Sequence, residues 1–481
     1  MTSPKFSVII PAYNNADFLG DAIQSVLDQT SPDFEIIVVN DASPDHTPEV
    51  IGQFHDPRIK YITHEINRGL AAARNSGMRA SSGEYIALLD GDDFFHPEKL
   101  RLHFEFLEKH PEVGVTYNSR FELNHSARTI REVWRPPLTV SLSDLVLGFP
   151  FGPSDMVLRH VWAFRVNLFD ESYTYFGEDL DINCRLALAG CKFASVDRAL
   201  NYRRYHSGRI IKNLREYQEA EIKPLYKIFA DPQCPPEVLA LRNIALSNRY
   251  LGWTNVAFAQ EETALGQEFC LKAFRLNPSI LDGNPCQLVA SFISYSILDE
   301  SRDHDELLRR IFSQLPPEMR GLSIQCEQAV AHAYLLKGIR AIIWDHIDDG
   351  REYLSHAAAL GAQIDDTFLQ GLTYQLLNYE TEFGTEAIQN VLQNLIQCLK
   401  KVGFRNDVKK LKGCYLVNRA FKSYHVGEYN GVPKEVMRAI LNDPRYLVNC
   451  GVISILIHSI FAKMRNNYQH YHGNNLSPIE K

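Results

Sequence analysis

At 481 residues the chain is long enough for two or three domains, and 45% hydrophobic with 22% charged residues is ordinary globular usage. That composition excludes wholesale disorder and collagen-like or low-complexity classes, and a net charge of −8 argues against a dedicated nucleic-acid binder, which would carry a basic stripe. Nine scattered cysteines, odd in number and without a C-x-x-C pair, read as reduced, cytosolic thiols rather than a disulfide framework or a zinc site.

The apolar run 6–10 (FSVII) is too short for the core of a signal peptide and reads instead as a buried strand. Helical periodicity follows over 16–29, then strand 34–39, a helix-like stretch 48–54, strand 58–63, helix 70–80 and strand 85–89. Near-continuous Val/Ile/Leu strands alternating with helices predict an α/β domain with a mostly parallel, Rossmann-like sheet covered on both faces. In such sheets ligands bind at the carboxyl ends of the strands, so the residues just after each strand matter most. From about Leu214 the strand signals fade, and long helical stretches such as 238–257, 325–343 and 387–401 dominate. KAFRLNP (272–278), HAAALGA (356–362) and RAILNDP (438–444) place small residues just before a helix breaker, as stacked helix pairs do. The expectation is a catalytic domain over 1–213 and an all-α domain over 214–481, either degenerate TPR-like hairpins or a plain bundle. No stretch offers the ~20 apolar residues of a transmembrane helix. The nearest, 452–462 (VISILIHSIFA), is expected to be a buried helix.

The chemistry-bearing residues sit after the strands. Pro11-Ala12-Tyr13-Asn14-Asn15 carries no glycine, which removes the dinucleotide fingerprint; it fits a turn with an Asn cap, but Tyr13 also offers a ring for stacking. Asn40-Asp41-Ala42-Ser43 is either a plain turn or a carboxylate placed to meet a base N–H. Asn67-Arg68-Gly69 opens a helix whose amides point outward, and Arg74 lies one turn in. Asp90-Gly91-Asp92-Asp93 crowds three carboxylates at the end of a buried strand, which suits a hard divalent cation, Mg2+ or Mn2+, better than a solvated turn. Glu178-Asp179 begins a helix after Gly177, a rigid mount for a general base or simply a cap. Arg203-Arg204-Tyr205-His206 suits a diphosphate or its metal, or is a basic surface loop.

Together FSVIIPAYN, IIVVNDAS, NRGLAAARNSGMRASSGEYIALLDGDD, FGEDLDINCRLALAGC and the RYH ending at His206 resemble the family 2 glycosyltransferases of GT-A fold, over roughly the first 210 residues. The resemblance implies a nucleotide site made by Pro11, Tyr13, Asn14, Asp41, Asn67, Gly69, Arg74, Asp90 and Gly91. It implies a divalent metal on Asp92, with His206 helping. It implies that Asp179, paired with Glu178, deprotonates the acceptor hydroxyl and that the anomeric centre is inverted. The implied partners are a nucleotide-sugar donor, with UDP the first expectation, and a saccharide, lipid-linked glycan or protein acceptor. A sugar-phosphate nucleotidyltransferase is the alternative enzyme, and an inactive binding module the non-enzymatic one. The helical half is expected to serve a protein partner or the acceptor and to carry no catalytic group. The place expected for the protein is the cytoplasm, peripheral to the inner face of the membrane.

Overall fold

The computed structural model describes residues 4–124, 129–148, 150–173, 176–204, 213–299 and 302–473, with side chains up to residue 462. Within the first 204 residues ten strands form one sheet. They are β1 (Phe6–Ala12), β2 (Phe34–Asn40), β3 (Ile59–Thr63), β4 (Tyr85–Leu88), β5 (Phe94–Phe95), β6 (Val113–Leu123), β7 (Ile130–Trp134), β8 (Thr139–Val140), β9 (Val157–Arg159) and β10 (Lys192–Arg204). The order is β3-β2-β1-β4-β9-β6-β10-β5, with β7 on β6 and β8 on β10. β3, β2, β1 and β4 run parallel, β6 and β10 are parallel to each other, and β9 is antiparallel to both its neighbours. This is the mostly parallel GT-A architecture that the resemblance implies.

The helices α1 (Ala16–Leu27), α2 (Thr47–Ile51), α3 (Leu70–Ala80), α4 (Lys99–Lys109), α5 (Leu142–Leu147), α6 (His160–Arg165) and α7 (Glu178–Leu188) connect the strands. β1 and β2 are buried at every position, because helices cover both faces and leave no polar alternation. β1 runs two residues past the expected stretch, through Pro11 and Ala12, and pairs there with Val39 and Asn40. The chain crosses from β3 through α3 to β4 on the far side of β1. The strand order therefore reverses at β1, and a crevice opens where its carboxyl end meets those of β2 and β4. The eleven-residue buried strand β6, with β7 and β9, was not foreseen.

From Leu214 onward the described residues are helical: α8 (Leu214–Ala230), α9 (Pro236–Leu239), α10 (Arg242–Ala259), α11 (Thr263–Leu276), α12 (Gln287–Ser296), α13 (His304–Ser313), then Cys326–Ile343, Ile347–Ala359, Asp366–Lys401, Arg405–His425, Val432–Asn442 and Cys450–Gly473. The chain divides into two compact units, Met1–Ala333 and Tyr334–Lys481. The division thus falls well beyond the change of composition at 213/214, because α8 packs against α7 and α10 packs against α8 and α5. The second unit has its own cores, one around Leu335, Leu354, Leu372 and Leu395 and another around Val432, Val436 and Val452. Asp366–Lys401 is interrupted at Gly384, whose positive φ breaks the helical path. The stretch 452–462 is a helix but not a buried one. Val452, Ile455 and Ser459 face inward, while Ile457, Ile460 and Phe461 are exposed, so its apolar residues are split between two faces. Among the described residues no helix is long and apolar enough to cross a membrane.

At the amino end of β1, Ser7 donates to Glu35 (2.6 Å) and accepts from the Gly83 amide (2.9 Å). A Cβ on Gly83 would lie 2.6 Å from the Ser7 amide nitrogen and 2.7 Å from the Phe6 carbonyl carbon, both backbone atoms locked in the sheet. Gly83→Ala is therefore expected to destabilise the first unit by about 1–3 kcal/mol, read as a lowered urea midpoint; an unchanged midpoint would contradict this packing.

Candidate active site

The crevice is lined by the segments following β1, β2 and β4. Tyr13 is half exposed there. Asn14 has a positive φ of 55°, and its amide donates to Ser43 Oγ (2.8 Å). Asn15 stands at the N-cap of α1 but makes no capping bond with its side chain; Asp45 accepts from the Ala16 amide instead (2.9 Å). Hydroxyl donors Ser43 and Thr47 and the Ala16 amide outweigh burial and hold Asp45 down at about 2. The loop after β2 therefore caps the helix after β1.

Asp41 is buried. Its Oδ1 accepts from the Arg68 amide (2.9 Å) and meets His64 Nδ1 (2.6 Å), and its Oδ2 accepts from the Gly69 amide (2.8 Å). His64 Nε2 in turn meets Ser76 Oγ (2.8 Å). The carboxylate thus fixes the loop that opens α3, where Gly69 takes φ 89° and Asn67 is exposed.

Arg74 is 1% exposed. Its Nη2 donates to Asp90 (2.7 Å) and its Nη1 to Glu178 (2.6 Å). One cation thereby joins α3, the turn after β4 and the start of α7. Asn75, the next residue, clamps the Phe169 backbone by donating to its carbonyl and accepting from its amide, both at 2.9 Å. The family resemblance implied Arg74 as part of the nucleotide site; here its guanidinium is enclosed between two protein carboxylates.

The acidic turn closes with a bond from the Asp93 amide to the Asp90 carbonyl (3.0 Å), and Ser154 Oγ accepts from the Asp90 amide (3.1 Å). Gly91 is required by close approach. A Cβ there would overlap the side-chain amide of Asn15 and sit 3.0 Å from the Pro11 carbonyl oxygen. Arg204, the last residue of β10, donates through Nη1 to the Asp92 carbonyl (2.9 Å) and through its own amide to Asp93 (3.1 Å). Its guanidinium also pairs with Asp21 and lies over the rings of Phe18 and Phe94. Burial, then the charges of Asp92 and Asp90, push the Asp93 carboxyl well above the usual range. An acidic cluster under such mutual repulsion, made of hard oxygen donors, fits a divalent cation. Among the described residues no three His, Cys, Asp or Glu side chains form a metal cage, so phosphate oxygens would have to complete the set. His206 lies outside the described residues.

Glu178 is buried, and burial followed by the neighbouring Asp179 charge pushes it up to about 7 against the pull of Arg74. Burial also raises Asp179, opposed by Arg74, by a bond from the Leu180 amide (2.7 Å) and by Arg249. The structure thus brings Arg74, Asp90, Glu178 and Asp179 together at one wall, and Gly91 against Pro11.

Sequence reasoning missed the polar layer beneath the acidic turn. Lys99, fully buried, donates to Asn118, to the Ser154 carbonyl (3.0 Å) and to the Asp155 carbonyl (3.2 Å). Burial pushes its ammonium down to about 7 against the charges of Asp155 and Asp93. Buried His103 meets Asn118 (3.0 Å) and Thr116 (2.8 Å). A lysine and a histidine in an amphipathic helix carry no sequence signal for this. Glu221 and Arg249, from α8 and α10, were missed because they lie beyond every motif.

Residues 7–169 match the family model described as glycosyl transferase family 2, so the N-terminal part of the chain carries a domain of that family. Among curated proteins the chain is similar to an uncharacterized glycosyltransferase of Rickettsia conorii, 32% identical over 43% of this chain and 34% of that one. It is also similar to the putative teichuronic acid biosynthesis glycosyltransferase TuaG of Bacillus subtilis (42%, over 22% and 42%) and the succinoglycan biosynthesis protein ExoO of Rhizobium meliloti (41%, over 21% and 29%). The chain spans less than half the length of each of these relatives. Among solved structures, S. aureus TarS 1-349 in complex with UDP-GlcNAc aligns with TM-score 0.42 and 18% identity over 68% of this chain and 88% of that one. The mannosyltransferase PcManGT from Pyrobaculum calidifontis, in complex with GDP-Man and Mn2+, aligns with TM-score 0.42 and 18% identity over 58% and 88%.

Replacing Arg74 by Met leaves Asp90 and Glu178 facing each other with no cation between them. The expected cost is about 3–5 kcal/mol of stability, because one partner of a buried pair is lost. Glu178→Gln should cost less, since burial, which raises the Glu178 carboxyl to about 7, already offsets part of its pairing with Arg74. Thermal unfolding of the two variants checks the order, and a more damaging Glu178→Gln would overturn it.

Proposed function

We propose that this chain is an inverting, metal-dependent glycosyltransferase that moves a sugar from a nucleoside diphosphate to a hydroxyl acceptor. The observation that carries the reading is the Asp90–Arg74–Glu178 bridge. It places the acidic turn, inside the segment 7–169 that matches family 2, and the Glu178-Asp179 helix start, just beyond that segment, on one wall of the crevice. Uridine is the first nucleotide to test, with Tyr13 as the stacking ring and Asp41, through the loop it orders, shaping the base pocket with Pro11, Asn14, Asn67 and Gly69. Asp92 would hold a divalent cation together with His206 and the diphosphate; bound there, the ion would neutralise the charge growing on the leaving group. Arg74 keeps Asp90 and Glu178 fixed relative to each other.

Asp179 supplies the base. An acceptor hydroxyl has a pKa far above 7, so a carboxylate must take its proton as the new bond forms at the anomeric carbon. A single displacement with the base opposite the leaving diphosphate inverts that centre. Burial raises the Glu178 carboxyl to about 7 against the pull of Arg74, and Asp179 is the member of the dyad read as the base. The names of the relatives TuaG and ExoO support an acceptor in polysaccharide or surface-glycan synthesis. A cytoplasmic, membrane-peripheral place of action is part of the same proposal. The second unit is read as a recognition domain for the acceptor or for a protein partner.

Asp92→Asn is expected to abolish transfer and weaken UDP binding without unfolding the protein; full activity in excess EDTA would refute the metal assignment. Asp179→Asn should lower kcat by about two to four decades with donor affinity nearly unchanged. Loss of donor binding with intact kcat would instead make Asp179 a nucleotide contact. Calorimetry should find UDP bound more tightly than GDP, and the reverse order would refute the choice of uridine.

A further inference from the structure

Helices α8 and α10 lie outside the family-matched segment, yet α8 packs against α7, and α10 packs against α8 and α5. Gly177, the N-cap of α7, takes φ +100°, and a Cβ there would sit 2.8 Å from the Ala220 carbonyl oxygen and 2.9 Å from Pro224 Cγ. Glu221, next to Ala220 on α8, accepts from Trp253 Nε1 and from Arg249 Nη1 (3.4 Å), both on α10. Asn248 anchors the same turn of α10 to the Leu147 carbonyl at the end of α5 (2.9 Å). The Arg249 guanidinium is therefore tethered at one nitrogen. Its other two nitrogens, Nε and Nη2, are buried and make no hydrogen bond. That Nε/Nη2 edge is the parallel fork with which arginine meets a carboxylate. A charged donor left buried and unsatisfied is costly, so a fork in this state needs an anion close by.

We propose that Arg249 is a positioning residue for Asp179: its tethered guanidinium supplies, from outside the family domain, a second cation that holds the Asp179 carboxylate ready to accept a proton. The proposal rests on the reading of Asp179 as the base. The charged groups around Asp179 are Arg74 from α3, Asp90 from the turn after β4, Glu178 on its own helix, Glu221 from α8 and Arg249 from α10. Burial and Asp90 push its proton affinity up, while Arg74, the Leu180 amide and Arg249 pull it down. Removing Arg249 leaves Arg74 as the remaining cation in that set. Asp179 then holds its proton to higher pH, and the acidic limb of the rate profile moves up. A helix that merely buttressed α7 would change stability without moving that limb.

The test uses the full chain, with UDP release from UDP-glucose and UDP-GlcNAc followed from pH 5 to 9 and UDP binding measured by calorimetry. Arg249→Met is expected to move the acidic limb of kcat up by about one pH unit, with a roughly tenfold loss below it and UDP affinity unchanged. Arg249→Lys, which keeps the charge, should restore the limb. Glu221→Gln, which removes an acid beside the pair, should move it down, and this variant decides if Arg249→Met does not fold. An unmoved limb in Arg249→Met, or an upward shift in Glu221→Gln, overturns the proposal. If the wild-type chain releases no UDP from either donor while still binding UDP, the reading of the chain as a transferase of these sugars fails first, and the role of Arg249 falls with it.

Discussion

The site depends on one buried cation. Arg74 cannot be solvated where it sits, and taking a guanidinium out of water costs several kcal/mol unless paired charges offset it. Asp90 and Glu178 are that compensation, at 2.7 and 2.6 Å. The pairing can be satisfied only if α3, the turn after β4 and the start of α7 converge. Segments separated by about a hundred residues in the chain thereby share one wall, and Asn75 extends the same clamp to the backbone of Phe169.

The acidic turn is held from its other side by Arg204, which reaches both the Asp92 carbonyl and the Asp93 carboxylate. Below it, Lys99, His103 and Asn118 form a buried polar layer in which every member touches another. Such a layer is stable only when its donors and acceptors are matched, and it then fixes a single geometry. The Asp90–Asp93 turn is thus held by a rigid scaffold. It keeps unfavourable charge in place, which is the condition for binding a cation together with a diphosphate.

The helical part of the chain is not uniform. Helices α8 to α13 belong to the compact unit of the sheet, and the later helices carry separate cores of their own. A boundary read from composition falls at 213/214, where strand patterns stop. The boundary in contacts falls at 333/334, because the Gly177 turn fits only against α8 and α10 is fastened to both α8 and α5. Composition reports the kind of secondary structure; burial decides where a unit ends.

The sequence by itself determined what short-range pattern encodes. The alternation of apolar runs and amphipathic helices determined the α/β class, and turn-forming residues after each run put Tyr13, Asp41, Gly69 and Asp90 at strand or helix ends. The crowded carboxylates at 90–93 and 178–179 were legible for the same reason, since a charge cluster beside a buried strand is a local anomaly. Tertiary structure alone decided partners. Arg74, expected in the nucleotide site, proved to be enclosed between carboxylates, and Asp41, read as a turn residue or a partner for a base N–H, proved to order a loop. Lys99 carried no local signal, and only folding buries its ammonium against Asn118 and two carbonyls. The stretch 452–462 looked uniformly buried, yet it splits its apolar residues between core and surface. Arg249 gave no signal, because its meaning comes from α8 and α10 folding back on α7. Hydrophobic periodicity is written over a few neighbouring residues, whereas the pairing of buried charges is set by contacts between residues as far as 104 apart, as Arg74 and Glu178 are, and those exist only once the chain is folded.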